Sequence, residues 1–109
     1  MENCIFCKIS KGAIPTNKIA ETKDVIAFYD VDPSADTHIL IVPKMHIGNF
    51  MSIKKEDFEV LGQMLSVVQD LVKEKNLEDK YKLVINGGKY QHVPHLHLHL
   101  LGGEMKKKV

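Results

Sequence analysis

A chain of 109 residues with a formal net charge of +1 at pH 7 has room for one domain, residues 1–109, built around one core. The near balance of cations and anions argues against a nucleic-acid groove, which would show as a basic stripe. No apolar run approaches the ~20 residues that cross a bilayer, and no basic-then-apolar leader opens the chain. The expectation is therefore a cytoplasmic protein with neither membrane nor nucleic acid as partner.

In chain order, Ile5, Phe6 and Ile9 fall at helical spacings, and Gly12 stops a short helix. Ile14-Pro15 begins an extended entry. Ile19 to Glu21 and Val25 to Asp30 read as two strands around the turn Thr22-Lys23-Asp24. Residues 32–36 read as a loop. Thr37 to Val42 is β-branched and apolar, a largely buried strand that Pro43 ends. A long helix follows, with Phe58, Leu61, Leu65, Val68 and Val72 as its apolar stripe and Met64 and Leu71 widening it. Ser52 is the candidate N-cap, and Asn76 ends the helix. Tyr81 to Ile85 is a fourth strand, Asn86-Gly87-Gly88 a turn, and the basic run Lys106-Lys107-Lys108 a solvated end. Strands joined by tight turns, with one long and one short helix, predict an α+β fold: an antiparallel sheet with a helix on one face.

The chemistry concentrates in His95-Leu96-His97-Leu98-His99-Leu100-Leu101. On a strand, successive side chains point to opposite faces, so the three histidines share one face and the leucines back them. Neighbouring imidazoles would then lie about 6.5–7 Å apart along the strand. Neutral imidazole accepts protons, binds metal or attacks an electrophile near pH 7. The spacing alone leaves open incidental histidines, a metal site and catalysis.

Cys4-x-x-Cys7 has a metal-ligand spacing, and His46 and His95 would complete the Cys2His2 set that zinc favours. A redox pair and two ordinary buried thiols are the alternatives. A structural zinc would staple the N-terminal helix to the histidine strand and leave His97 free.

The run HLHLHLL resembles the signature of the histidine triad family. The likeness to the small, adenosine phosphoramidase-like branch extends from Cys4-Ile5-Phe6-Cys7 through Ala27-Phe28-Tyr29-Asp30, Thr37 to Lys44 and Asn86-Gly87-Gly88 to Leu101-Gly102-Gly103. The resemblance implies a sheet of about five strands, paired about a two-fold axis into a homodimer. It implies a purine nucleotide ligand and a nucleophilic His97, which attacks the α-phosphorus of a nucleoside 5′-phosphoramidate or aminoacyl adenylate. His99 would donate to a phosphoryl oxygen, His38 would position the catalytic ring, and His95 would flank it. Ile5, Phe6, Ile9, Phe28 and Leu40 would line the base pocket, Asp30 would bind the ribose hydroxyls, and Asn86 would meet the phosphate. Without the resemblance, those apolar residues read as core and Asp30 and Asn86 as turn formers. The resemblance also implies that many bacterial relatives carry the Cys4, Cys7, His46, His95 quartet.

The chain departs from that pattern in Gln91-His92, where relatives pair Gln with a small hydroxyl residue that binds the phosphate or leaving group. By the same resemblance Gln91 and His92 would stand among the nucleotide-binding residues, with His92 donating to phosphate or serving as an acid for the leaving amine. The tail also lacks the aromatic segment that closes the partner's site in relatives. No P-loop lysine follows Gly87-Gly88, and no acidic cluster marks a magnesium site. Cleavage of dinucleoside polyphosphates and a zinc-stabilised nucleotide-binding module with little catalysis are the competing functions.

Overall fold

The structure is a computed structural model and describes residues 3–108. Its elements are α1 (Ile5–Ser10), β1 (Lys18–Glu21), β2 (Val25–Tyr29), β3 (Ala35–Pro43), α2 (Phe58–Glu74), β4 (Tyr81–Val84) and β5 (Leu98–Met105). The five strands form one antiparallel sheet in the order β1-β2-β3-β5-β4. The α+β architecture expected from the strand and helix patterns is the one observed.

β2 and residues 39–43 of β3 are apolar throughout because both sheet faces are covered there. Val25, Ala27, Ile39, Ile41, Leu98 and Leu100 face α2 through Met64, Val68, Leu71 and Val72. On the other face, Ile26, Phe28, Leu40 and Val42 pack under α1 through Phe6 and Ile9, with Cys4 and Cys7 at the edge. The short helix thus covers the sheet face opposite the long one.

Three details correct the expectations. Phe58 and Leu65 are 59% and 50% exposed, and Met64, Val67, Val68, Leu71 and Val72 form the buried stripe. At 100° per residue, Phe58 and Leu65 lie roughly 90–110° around the axis from the centre of that stripe. Ser52 does not cap α2. It sits in a 3-10 turn where the Asn49 side chain accepts its N–H at 3.0 Å, and Asp57 holds the start of α2 by accepting the Lys54 N–H at 2.9 Å. Lys106 and Lys107 are not simply solvated: both backbone N–H groups donate to the Ser34 carbonyl, and Lys107 Nζ lies 2.8 Å from Asp32 Oδ2.

A fourth correction sets the site. The strand that carries the histidines begins at Leu98, not His95. Its ladder with β3 runs from Ala35↔Met105 to Ile41↔Leu98 and then stops. Beyond that point lies Pro43, which has no N–H to contribute. The backbone of 95–96 turns elsewhere: His95 N–H donates to Val93 O at 2.8 Å and Leu96 N–H to Ile47 O at 2.6 Å. At the far end of α2, Asn76 adopts φ 56° and turns Leu77 inward, against Gly102. A Cβ on Gly102 would lie 2.6 Å from Leu77 Cδ1, so glycine is what admits the close approach there.

Candidate functional site

Loop residues 91–97 bring the histidines of the signature against β3 and α1. His97 is buried, its ring edge-on to Phe6 at 5.1 Å between centroids and 4.8 Å from the His99 ring. His38 on β3 is a diagonal neighbour of His99 on β5, and His38 Nε2 lies 2.9 Å from His99 Nδ1.

Backbone groups fix the proton on each ring, because a carbonyl can only accept and an amide N–H can only donate. His97 Nδ1 is 2.7 Å from the His95 carbonyl, so Nδ1 carries the hydrogen and Nε2 keeps its lone pair. The Ser34 N–H donates to His38 Nδ1 at 3.0 Å, which puts the His38 hydrogen on Nε2. That hydrogen is given to His99 Nδ1, so His99 is protonated at Nε2. His99 Nε2 lies 3.3 Å from Asn86 Nδ2; two donors cannot bond each other, so this tautomer calls for the Asn86 amide turned over, with its oxygen toward His99. The outcome is one imidazole with a bare nitrogen, His97, beside one with an outward N–H, His99.

Burial pushes the His38 and His97 pKa values below the usual histidine range, with Asp30 partly opposing the shift. It lowers His99 to about 4, with His97 and His38 adding to the shift. At neutral pH the rings are therefore uncharged and the His97 lone pair is available. For His99 the unfolded chain binds the proton first as pH falls. Its contribution to stability is complete above about 6.5, the unfolded value, and is lost as pH drops through about 4. Ring-nitrogen NMR at pH 7 is expected to show hydrogen on His97 Nδ1 and on His38 and His99 Nε2, with His99 titrating near pH 4. A His99 midpoint near 6.5 contradicts this arrangement.

Two adjoining cavities meet over these rings. The first, about 360 Å³, is lined by Ile5, Phe6, Ile9, Phe28 and Leu40, with Asp30, Asn86, His92, His97 and His99 at its polar end. All five residues expected for a base pocket are there. Ile14, Thr16 and Val93 also line it and were not singled out in the sequence, although Ile14-Pro15 reads as an extended apolar entry. The second cavity, about 620 Å³, shares Asp30, Asn86, His92 and His99 and adds His38, Ser34, Tyr90 and the tail residues Lys107 and Lys108. Asp30 Oδ1 accepts the Asp32 N–H at 2.9 Å, and Oδ2 lies 3.5 Å from His38 Nε2.

Gln91 is not at either cavity. Its amide donates to Gly48 O at 2.8 Å and to Val93 O at 2.9 Å, so it pins the loop rather than facing a ligand. His95 is likewise absent from the cavity linings, and its side chain is fully buried behind His97.

His95 belongs to a second constellation. Its Nε2 donates to Pro43 O at 2.8 Å, which leaves Nδ1 as a lone pair. That nitrogen lies 3.2 Å from Cys4 Sγ, 3.2 Å from His46 Nδ1 and 3.5 Å from Cys7 Sγ, with Cys7 Sγ 3.3 Å from His46 Nδ1. Tetrahedral zinc with ordinary Zn–N and Zn–S bonds separates its ligand atoms by about 3.3–3.8 Å. The quartet therefore fits the ion in donor type and spacing, and His95 also in tautomer. Burial, together with the neighbouring Cys4 thiol, pushes the Cys7 thiol pKa up, so metal binding there would release protons. Asp30, His38 and His99 also converge, but not as metal ligands. His38 Nδ1 already accepts an N–H, so a neutral His38 has no lone pair at Nε2.

A family model described as "Scavenger mRNA decapping enzyme C-term binding" matches residues 3–109. The chain is 46% identical over 103 residues to a 14 kDa zinc-binding protein of Zea mays, covering 91% of this chain and 80% of that one. It is 37% identical over 105 residues to a purine nucleoside phosphoramidase of Escherichia coli, covering 94% and 88%. The solved structure of a HIT family hydrolase from Legionella pneumophila superposes with a TM-score of 0.91 at 42% identity, covering 94% and 95%. On the triad sequence, the sheet that carries it and these likenesses, the chain belongs to the histidine triad family.

Proposed function

We propose that the chain is a nucleotide hydrolase that cleaves purine nucleoside 5′-phosphoramidates and similar nucleotidyl conjugates through His97. The observation that carries this reading is the bare His97 Nε2 beside the cavity's polar end, with its other nitrogen tied to the His95 carbonyl. In the first step Nε2 attacks the α-phosphorus, the P–N bond to the amine breaks, and a nucleotidyl-histidine forms. Water then attacks phosphorus, the P–Nε2 bond breaks, and the nucleoside monophosphate leaves. The outward N–H of His99 supports a phosphoryl oxygen, and the base sits in the apolar cavity with the ribose hydroxyls on Asp30. The catalytic set is His97, His99 and His38, with His95 acting through its carbonyl. The E. coli relative bears the name of this activity.

Zinc at Cys4, Cys7, His46 and His95 is structural in this reading. Bound there, it would cross-link the start of α1, through Cys4 and Cys7, to His46 and to the loop before His97, through His95. We also propose a homodimer. β4 is the last strand in the sheet order, and Tyr81 and Leu83 on it and Ile85 just beyond it are exposed, a feature that a second copy would cover. Sedimentation at the mass of one chain at micromolar concentration would remove the dimer.

Incubation with an adenosine 5′-phosphoramidate is expected to release AMP. The second cavity has room for a further substituent, so a dinucleoside polyphosphate is the comparison substrate. A higher kcat/KM on the phosphoramidate supports the reading. Turnover of the polyphosphate alone favours the competing hydrolase, and turnover of neither leaves a nucleotide-binding module.

A further inference from the structure

An amine is a poor leaving group unless it gains a proton as the P–N bond breaks, so the reaction proposed above needs an acid at the leaving side. The rings already described have their protons committed. The His97 hydrogen is held by the His95 carbonyl, the His38 hydrogen by His99, and the His99 hydrogen faces Asn86 and the phosphoryl position. Lys107 is paired with Asp32. Tyr90 and Lys108 line the larger cavity alone and do not reach the base cavity.

One imidazole remains. His92 is exposed, lies on the loop that Gln91 pins to Gly48, and lines both cavities. The residues it shares with the two cavities, Asp30, Asn86 and His99, mark the junction where the phosphorus would sit. A charge on His92 is close enough to disfavour charge on both His97 and His99. The larger cavity, opposite the base pocket, is the space a departing group would occupy.

We propose that His92 is the acid that protonates the departing amine and then the base that accepts a proton from the attacking water. This rests on the nucleotidyl-His97 reading. In the first step the Nε2–P bond forms, the P–N bond breaks, and the His92 imidazolium gives its proton to the amine nitrogen. In the second, water adds to phosphorus, its proton returns to neutral His92, and the P–Nε2 bond breaks. The balance over both steps is phosphoramidate plus water to monophosphate plus amine. The consequence for specificity is that His92 lets the site expel unactivated amines.

The test compares two substrates in single-turnover release of the leaving group. One is an alkylamine phosphoramidate of AMP, and the other is the 4-nitrophenyl ester of AMP, whose leaving group departs without a proton. His92→Ala should slow the amine by roughly 10²-fold or more and widen the ratio of the two rates by about the same factor. Equal slowing of both substrates, or no slowing of the amine, overturns the assignment. In either case wild-type release of nitrophenol with a covalent intermediate leaves the His97 mechanism standing. Absence of any wild-type turnover overturns both.

Discussion

His97→Ala is expected to lower turnover of an adenosine 5′-phosphoramidate by roughly 10⁴-fold or more, because of the three packed rings His38, His97 and His99 only His97 presents a bare nitrogen to the cavity. His38 and His99 cannot substitute: the Ser34 amide and the hydrogen bond between the two rings put their hydrogens on Nε2. AMP affinity should fall by less than about tenfold, or 1.4 kcal/mol, since the apolar cavity and Asp30 are untouched. The variant leaves the His95 carbonyl without its partner, a cost of about 1–3 kcal/mol in stability. Circular dichroism and calorimetric AMP binding on the same sample separate lost chemistry from lost structure. Retained turnover in a folded variant would end the assignment of His97.

Metal removal should have the next largest effect, and on stability rather than chemistry. Protein purified without a nickel column is expected to hold close to one equivalent of zinc per chain. Stripping it, or replacing Cys4 with Ser, should cost at least about 3 kcal/mol, since the metal joins segments 91 residues apart in sequence. For about 100 residues that corresponds to a fall in Tm of roughly 12–24 °C. The same loss should reach the nucleotide cavity by two routes. Cys4 and Cys7 begin the helix whose Ile5, Phe6 and Ile9 line it, and the carbonyl of the ligand His95 fixes His97. Less than about a tenth of an equivalent of zinc, with no change in Tm on chelation, would exclude the metal.

How far the sequence could be read follows from what each feature depends on. Continuous apolar, β-branched runs marked β2 and the 39–43 half of β3, because burial on both faces leaves apolar residues at successive positions there. The stripe of α2 was legible, but its rotation was not. Phe58 and Leu65 are as apolar as Met64, and only the packing against β3 decides which of them turn inward. The grouping of His95, His97 and His99 was visible as a pattern, whereas the division of labour among them was not. That division depends on Pro43 ending the ladder and on three backbone groups: the Pro43 and His95 carbonyls and the Ser34 amide. Backbone groups leave no trace in residue type, so tautomers lie beyond sequence reasoning. Gln91 shows the opposite error. A residue adjoining the site by motif proves to brace the loop from outside the cavity.

The central claim is that a single imidazole nitrogen becomes covalently bonded to phosphorus. Acid-stable quenching is unsuitable for a phosphorus–nitrogen bond, so the measurement is rapid alkaline quench of a turnover mixture followed by peptide mapping by mass spectrometry. A nucleotidyl adduct on the peptide containing His97, localised to that residue and absent from His97→Ala, is the predicted result. An adduct on His95, His99 or His92, or oxygen-isotope labelling that shows direct attack of water with no adduct at any time, would contradict it.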